Sequence, residues 1–322
     1  MQKNILIVGG AGYVGSVMVY RFLRQGYRVR VFDKLLHGGE SLLAAREYPE
    51  FEFIQGDVND AAAIGKACDG IDSLVHLAAI VGEPACNRDK DLAWRTNYDG
   101  SMTTLEAARK ANVRCFVFAS TCSNYGIRQG DDFADETAPL NPISVYAESK
   151  VKSEREILAC TDGTLVPTVL RLSTAHGLSP RMRFDLLVND FIREALFKKK
   201  LLVYGPHFWR PYVHTEDIAQ AAQLVFNADP DKVRGQVFNV GADDENYRKG
   251  EVVKLVCEAV PETEVETVNV ESDPRSYRVT FKKVTEVLGY QTSVSVPASI
   301  TQMQAQLTIG TFKEPFAPGY IN

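Results

Sequence analysis

The sequence predicts an α/β protein built on a doubly wound parallel sheet, with a smaller C-terminal substrate lobe over the carboxyl ends of the strands. Three observations predict it. Short runs rich in Val, Ile and Phe recur through the first half without polar alternation, as expected of strands buried on both faces. Amphipathic helical stretches alternate with them, and parallel neighbours need such crossovers. A glycine-rich turn follows the first apolar run directly and opens the first helix.

Taken in order, the expected strands are Ile5–Val8, Val29–Phe32, Phe51–Ile54, Ser73–Leu77, Cys115–Ala119 and Thr168–Leu172. The clearest helical patterns between them are Tyr13–Gln25, Asp91–Ala111 and Tyr146–Leu158. After Leu172 the alternation loosens. A basic turn at Arg181–Arg183 precedes a helix near Phe184–Phe197 and a strand near Leu201–Tyr204. Further helices are expected at Thr215–Phe226, Lys249–Val260, Phe281–Leu288 and Ser299–Leu307. No internal repeat or low-complexity linker separates the lobes, so they are expected to share one body.

Composition narrows the partners. The 322 residues suffice for one large unit or two coupled lobes. A net charge of −5 provides no general basic field, so nucleic acid is not an expected partner and any phosphate must be held by local groups. No apolar run approaches the roughly 20 residues that cross a bilayer, so no membrane partner is expected. Met1-Gln2-Lys3 leads straight into the first strand, without a signal-peptide layout. Cysteines 68, 86, 115, 122, 160 and 257 are scattered, with no CxxC pair and no metal-ligand spacing. Reduced thiols, a cytoplasmic location and no metal are therefore expected.

The chemistry lies in three features. Gly9-Gly10-Ala11-Gly12-Tyr13-Val14-Gly15 lets the chain turn tightly and a diphosphate approach the main-chain N–H groups, where the helix N-terminus adds partial positive charge. Asp33 ends the second strand about 20 residues on, where a carboxylate accepts both hydroxyls of an adenosine ribose. Its charge repels a 2′-phosphate and favours NAD over NADP, although Lys34 follows it. Third, of the thirteen tyrosines only Tyr146 has a lysine four residues on, Lys150, one helical turn away on the same face. A phenol near pKa 10 is too weakly acidic to act as a base unless a neighbouring ammonium and an oxidised nicotinamide favour its phenolate.

Together these residues resemble the extended short-chain dehydrogenase/reductase family, and within it the nucleotide-sugar epimerases and dehydratases, over nearly the whole chain. The resemblance takes in the glycine loop, Gly56-Asp57-Val58, His76-Leu77-Ala78-Ala79, and Asn97 before Asp99-Gly100-Ser101. It continues through Ser120-Thr121-Cys122-Ser123-Asn124-Tyr125-Gly126, the run from Arg210 to Asp217, and Asp273-Pro274-Arg275. It implies an NAD-binding Rossmann domain at residues 1–175, with a return segment near 213–240, and a substrate-binding lobe at 176–212 and 241–322. It implies Tyr146, Lys150 and Thr121 as the catalytic set. NAD contacts fall on Gly9, Gly12, Tyr13, Val14, Gly15, Asp33, Lys34, Asp57, Val58, Leu77, Ala78, Ala79, Asn97, Ala119, Tyr146, Lys150, Ser173 and His176. Substrate contacts fall on Glu83, Cys122, Ser123, Thr174, Asn189, Arg210 and Arg275, the two arginines suiting a dianionic diphosphate. Pairing of the helices at 91–111 and 146–158 between subunits implies a homodimer.

The sequence departs from the family pattern at three places. Val8 stands before the first glycine, where Ser or Thr is frequent. Cys122-Ser123 follow Thr121, where 4,6-dehydratases carry the Asp-Glu pair that expels water. Thr174 and His176 replace a frequent substrate-binding Asn and a Tyr. His176 is open to two readings, a proton carrier or a packing residue; Cys122 is either an epimerising base or an inert buried thiol; Glu83 either faces substrate or is a solvated loop carboxylate. The resulting expectation is an NAD-dependent nucleotide-sugar epimerase that transiently oxidises the sugar, at C4. A dehydratase or ketoreductase of the same fold is the alternative. A non-catalytic dinucleotide-sensing regulator is a remote one, since it would not need Tyr146, Lys150 and Thr121 together.

Overall fold

The computed structural model describes residues 3–127, 132–161, 163–270 and 276–322. The first half runs β1 (Asn4–Val8), α1 (Tyr13–Arg24), β2 (Arg28–Asp33), β3 (Phe51–Gln55), α2 (Ala61–Cys68), β4 (Ser73–His76), α3 (Glu83–Arg88) and α4 (Lys90–Trp94). It continues with α5 (Gly100–Lys110), β5 (Cys115–Thr121), β6 (Phe133–Ala134), α6 (Val145–Ala159) and β7 (Val166–Leu172). The second half holds β8 (Thr174–His176), α7 (Leu187–Lys198), β9 (Lys200–Tyr204), β10 (Trp209–His214), α8 (Thr215–Asn227), α9 (Pro230–Val233) and β11 (Gln236–Val240). The remaining elements are β12 (Asn246–Arg248), α10 (Lys249–Ala259), β13 (Glu264–Val268), β14 (Arg278–Val279), α11 (Lys282–Leu288) and α12 (Val296–Thr308).

Seven strands form one parallel sheet in the order β3-β2-β1-β4-β5-β7-β11. The chain works outward to β3 and then returns to lay β4 beside β1, so the order reverses between these two strands. A crevice opens there at the carboxyl ends, where α/β sheets of this kind bind ligands. Both faces are covered. Ile5 and Ile7 pack with Met18, Phe22, Val117, Ile218 and Phe238, whereas Leu6 and Val8 pack with Phe32, Ile64, Phe116 and Val169 on the other side. Two apolar faces explain why β1 reads as an unbroken hydrophobic run. A third cluster gathers Phe184, Ile192, Tyr212, Val252 and Met303.

The six expected strands are present, and β11 adds a seventh at the edge next to β7. α8 packs its Ile218, Ala222 and Val225 into the cluster under β1. The single helix expected over 91–111 is α4, a π-helical turn at Arg95–Asp99, and α5. That turn places Gly100 so close to Val58 that a Cβ would lie 2.4 Å from its Cγ2. α2, which periodicity alone did not mark, starts at Asp60, whose carboxylate accepts from the Ala62 and Ala63 N–H groups at 3.0 Å. Among the described residues no helix is long and apolar enough to cross a membrane, and no cluster of His, Cys, Asp or Glu could hold a metal. None of the six cysteines forms a disulfide.

Candidate active site

A cavity of about 810 Å³ occupies the crevice over β1 and β4. Its floor is the glycine loop. Gly9 has φ +88° and lies against the Ala78 backbone, where a Cβ would sit 2.6 Å from the Ala78 nitrogen. At Gly15 a Cβ would meet the Gly9 carbonyl at 2.3 Å, so α1 rests directly on the loop. No side chain caps α1 and no acidic residue lies in its first turn, although Tyr13, Val14 and Gly15 line the cavity. This cradle of bare backbone and an uncapped helix N-terminus fits the diphosphate of a dinucleotide.

Asp33 lines the same end. Its carboxylate accepts from the Ala11 N–H at 2.9 Å and the Leu35 N–H at 2.8 Å, which aims it beside the loop. Burial raises its pKa above the ordinary value despite these bonds. Lys34 is drawn away to Asp57 by a 2.8 Å ion pair. Burial would raise the Asp57 pKa, but Lys34 and Asn59 outweigh it and hold the carboxyl below its ordinary range. Val58, Leu77, Ala78 and Ala79 complete this wall.

The opposite end holds Ala119, Thr121, Ser123, Tyr146, Lys150, Ser173 and Thr174. Ser144 caps α6 by accepting from the Ala147 N–H at 3.2 Å, which fixes where the helix starts and brings Tyr146 and Lys150 one turn apart beside β5. Thr121 and Tyr146 line the cavity together, and the Thr121 hydroxyl acts to lower the pKa of the phenol. Lys150 is 2% exposed and donates to the Ala119 carbonyl at 2.8 Å, its ammonium 4.5 Å above the Phe118 ring. Burial lowers its pKa to about 8, against the pull of Glu154 and Cys86. Burial also pushes the Tyr146 phenol well above its ordinary value. Cys86 adds to the rise, while the Arg183 charge and the Thr121 hydroxyl oppose it. Burial dominates the phenol, so the ammonium and the oxidised nicotinamide that the sequence expectation invoked together would both have to work against it.

Several expected contacts lie behind the cavity wall. Asn97 is fully buried and uses its side chain on Ile80, accepting from its N–H at 2.8 Å and donating to its carbonyl at 3.0 Å. His176 is fully buried 5.4 Å from the His214 ring, which favours its packing reading. Asn189 holds the Tyr13 hydroxyl at 3.0 Å and the Arg183 carbonyl at 2.8 Å. Cys122 is 1% exposed and donates to the Arg171 carbonyl at 3.3 Å; burial raises its thiol to about 12, so it is no base at neutral pH. Arg210 is buried and donates to the Trp209 carbonyl at 2.8 Å. Gly82 and Pro84 line the cavity on either side of Glu83, the first residue of α3. Arg275 lies outside the described residues.

Among the cavity residues that escaped the site reading are two arginines, Arg181 and Arg183. Tyr13 donates to the Gly177 carbonyl at 2.6 Å and Ser179 to the Tyr13 carbonyl at 2.7 Å, latching this segment onto the first turn of α1. The basic turn is thereby carried over the glycine loop. Both arginines are more than nine-tenths buried. Arg183 grips Asp185 through Nε at 3.0 Å and Nη2 at 2.6 Å. Burial and then Arg183 itself lower the Arg181 pKa to about 10. The basic triplet was visible in the sequence, but nothing there showed which way it faces.

The profile of the NAD dependent epimerase/dehydratase family matches residues 5–241. The chain is 32% identical over 278 residues to a dTDP-glucose 4,6-dehydratase of Neisseria gonorrhoeae, covering 81% of this chain and 79% of that one. It is 29% identical over 257 residues to a UDP-glucose 4-epimerase of Lactobacillus helveticus, covering 74% and 76%. A solved dTDP-glucose 4,6-dehydratase from Streptomyces venezuelae, with NAD bound, superposes with a TM-score of 0.86 at 26% identity, over 98% of this chain and 100% of that one.

Proposed function

Since the chain belongs to the NAD-dependent epimerase/dehydratase family, we propose that it is a nucleotide-sugar epimerase, working by transient oxidation at C4 of the sugar. NAD, when bound, supplies the hydride acceptor and donor. The glycine loop and the N-terminus of α1 would hold its diphosphate, Asp33 its adenosine ribose and Lys150 its nicotinamide ribose.

Within the chain, the Tyr146 oxygen takes the proton of the sugar hydroxyl and later returns it. Thr121 shares that oxygen and fixes its direction. The Lys150 ammonium stabilises the phenolate from the dry end of the cavity. Arg181, beside the Arg183–Asp185 ion pair, offers the substrate diphosphate a net positive charge.

The observation that carries epimerisation over dehydration is the surroundings of Thr121. Expelling water from the sugar needs an acid and a base there. Cys122 is turned inward as a protonated thiol, and Ser123 shares a 3.3 Å hydrogen bond with Tyr277. The described carboxylates that line the cavity are Asp33, Asp57 and Asp185, two at the ribose end and one bound to Arg183. The test is incubation of the purified protein with UDP-, GDP-, CDP- and dTDP-sugars and NAD, followed by mass and proton spectra. The expected product has the mass of its substrate and an inverted centre. A product lighter by one water would replace this reading with dehydration, and no change with any sugar would remove both.

A further inference from the structure

Behind the candidate catalytic residues lies a buried ion pair for which substrate chemistry has no direct use. Glu154 and Arg171 are 1% and 4% exposed. Arg171 Nη2 donates to Glu154 Oε2 at 2.8 Å, and its Nε lies 3.2 Å from both carboxylate oxygens. The Ser120 hydroxyl and the Asn124 amide also donate to Glu154 Oε1, the latter at 2.7 Å. Arg171 Nη1 donates to the Tyr125 hydroxyl at 3.0 Å, and that hydroxyl donates to Asn239 at 2.7 Å. Removing two charges from water costs several kcal/mol per ion before their attraction is counted, so such a pair is a poor device for stability alone.

Its position suggests a use. Tyr146, Lys150 and Glu154 follow one another at successive turns of α6. Three consecutive residues of β5 face them: Thr121 lines the cavity with Tyr146, the Ala119 carbonyl accepts from Lys150, and Ser120 donates to Glu154. Ser120 and Arg171 are register partners on β5 and β7, so both strands converge on one carboxylate. We propose that Glu154 is a positioning residue for the oxidation chemistry: with Ser120 and Arg171 it locks the register of α6 against β5, and it places a fixed negative charge one turn behind the Lys150 ammonium. The inference rests on the function proposed above.

Among the described residues the charged and titratable neighbours of Lys150 are few. Tyr146 and Glu154 lie on its own helix, Cys86 approaches from α3 and His76 from β4, and Arg171 acts through Glu154. Of these, the Glu154 charge does most to hold the proton on Lys150 against burial. Without its charge Lys150 sheds its proton at lower pH, and the alkaline limb of activity moves down with it.

The test compares wild type, Glu154→Gln, and the neutral double variant Glu154→Gln/Arg171→Gln, which leaves no unpaired buried charge if the single variant fails to fold. Lysine labelled with carbon-13 reports the Lys150 titration by NMR without any substrate, and turnover of a nucleotide sugar reports kcat and KM against pH. The expected result is a Lys150 midpoint lower by about one pH unit, a kcat reduced roughly tenfold or more, and a KM within about twofold of wild type. Glu154→Asp should restore the midpoint but not kcat, because its carboxylate is a methylene short. A Lys150 midpoint unchanged in Glu154→Gln, or a kcat unchanged in the double variant, overturns the proposal. A wild type that converts no nucleotide sugar overturns the functional reading instead, while the NMR midpoint still decides the role of Glu154.

Discussion

At Asp33 one carboxylate does two jobs. It orders the turn after β2 by accepting from Leu35 and Ala11, and it lines the cavity where a ribose would lie. With Lys34 committed to Asp57, the local field at that end favours hydroxyls over a phosphate. Asp33→Ser should weaken NAD binding by about 1.5–3 kcal/mol, roughly tenfold to a hundredfold in Kd, and narrow the gap to NADP. Calorimetric titration with both dinucleotides measures this; an unchanged NAD-to-NADP ratio would show that Asp33 does not select. Asp33, Tyr146 and Lys150 were legible in the sequence because their spacings follow from strand and helix geometry. Asn97, Asn189 and Arg210 were assigned by motif position alone, and motif position does not say whether a side chain faces the cavity or supports the backbone behind it. Arg181 and Arg183 were missed for the converse reason, since a long-range latch to Tyr13 sets their direction.

At the scale of elements, the β1–loop–α1 unit separates packing from binding. Gly15 touches the Gly9 carbonyl, so Gly15→Ala forces the loop apart and should cost about 1–3 kcal/mol of stability with or without cofactor. Gly12 has φ −76°, and a Cβ there would meet only the Gly9 carbonyl, at 3.3 Å. Gly12→Ala should therefore fold with a Tm near wild type yet bind NAD at least about tenfold more weakly, its methyl group standing where the diphosphate approaches. Thermal melts with and without NAD distinguish the two; equal losses of stability would contradict the assignment. The inner sheet strands were readable because burial on both faces leaves an apolar signature. The π-helical turn at Arg95–Asp99 was not, since it keeps the helical apolar pattern and differs by one backbone register. Nor was β11, a short edge strand whose place depends on pairing with β7.

At the scale of the molecule, buried histidines tie stability to pH. His176 is fully buried, and burial, followed by the His214 charge, lowers its pKa to about 3 from an ordinary 6.5. The unfolded chain therefore binds the extra proton first, and this residue's contribution is lost as pH falls from 6.5 towards 3. The slope reaches about 1.4 kcal/mol per pH unit. Glu245 and Asp190, raised by burial to about 7 and about 6, act in the opposite sense and mask the effect in wild type alone. They cancel when His176→Phe is compared with wild type by urea unfolding at about pH 7.5 and about pH 5. The variant should gain stability relative to wild type on acidification; a pH-independent difference would show that His176 is protonated in the fold.

The catalytic claim rests on one oxygen atom. Turnover of the accepted nucleotide sugar by Tyr146→Phe, beside a binding isotherm for NAD, tests it most directly. The account predicts cofactor affinity within about twofold of wild type and a kcat lower by about a hundredfold to ten-thousandfold. A Tyr146→Phe protein that binds NAD and turns over at the wild-type rate would contradict it.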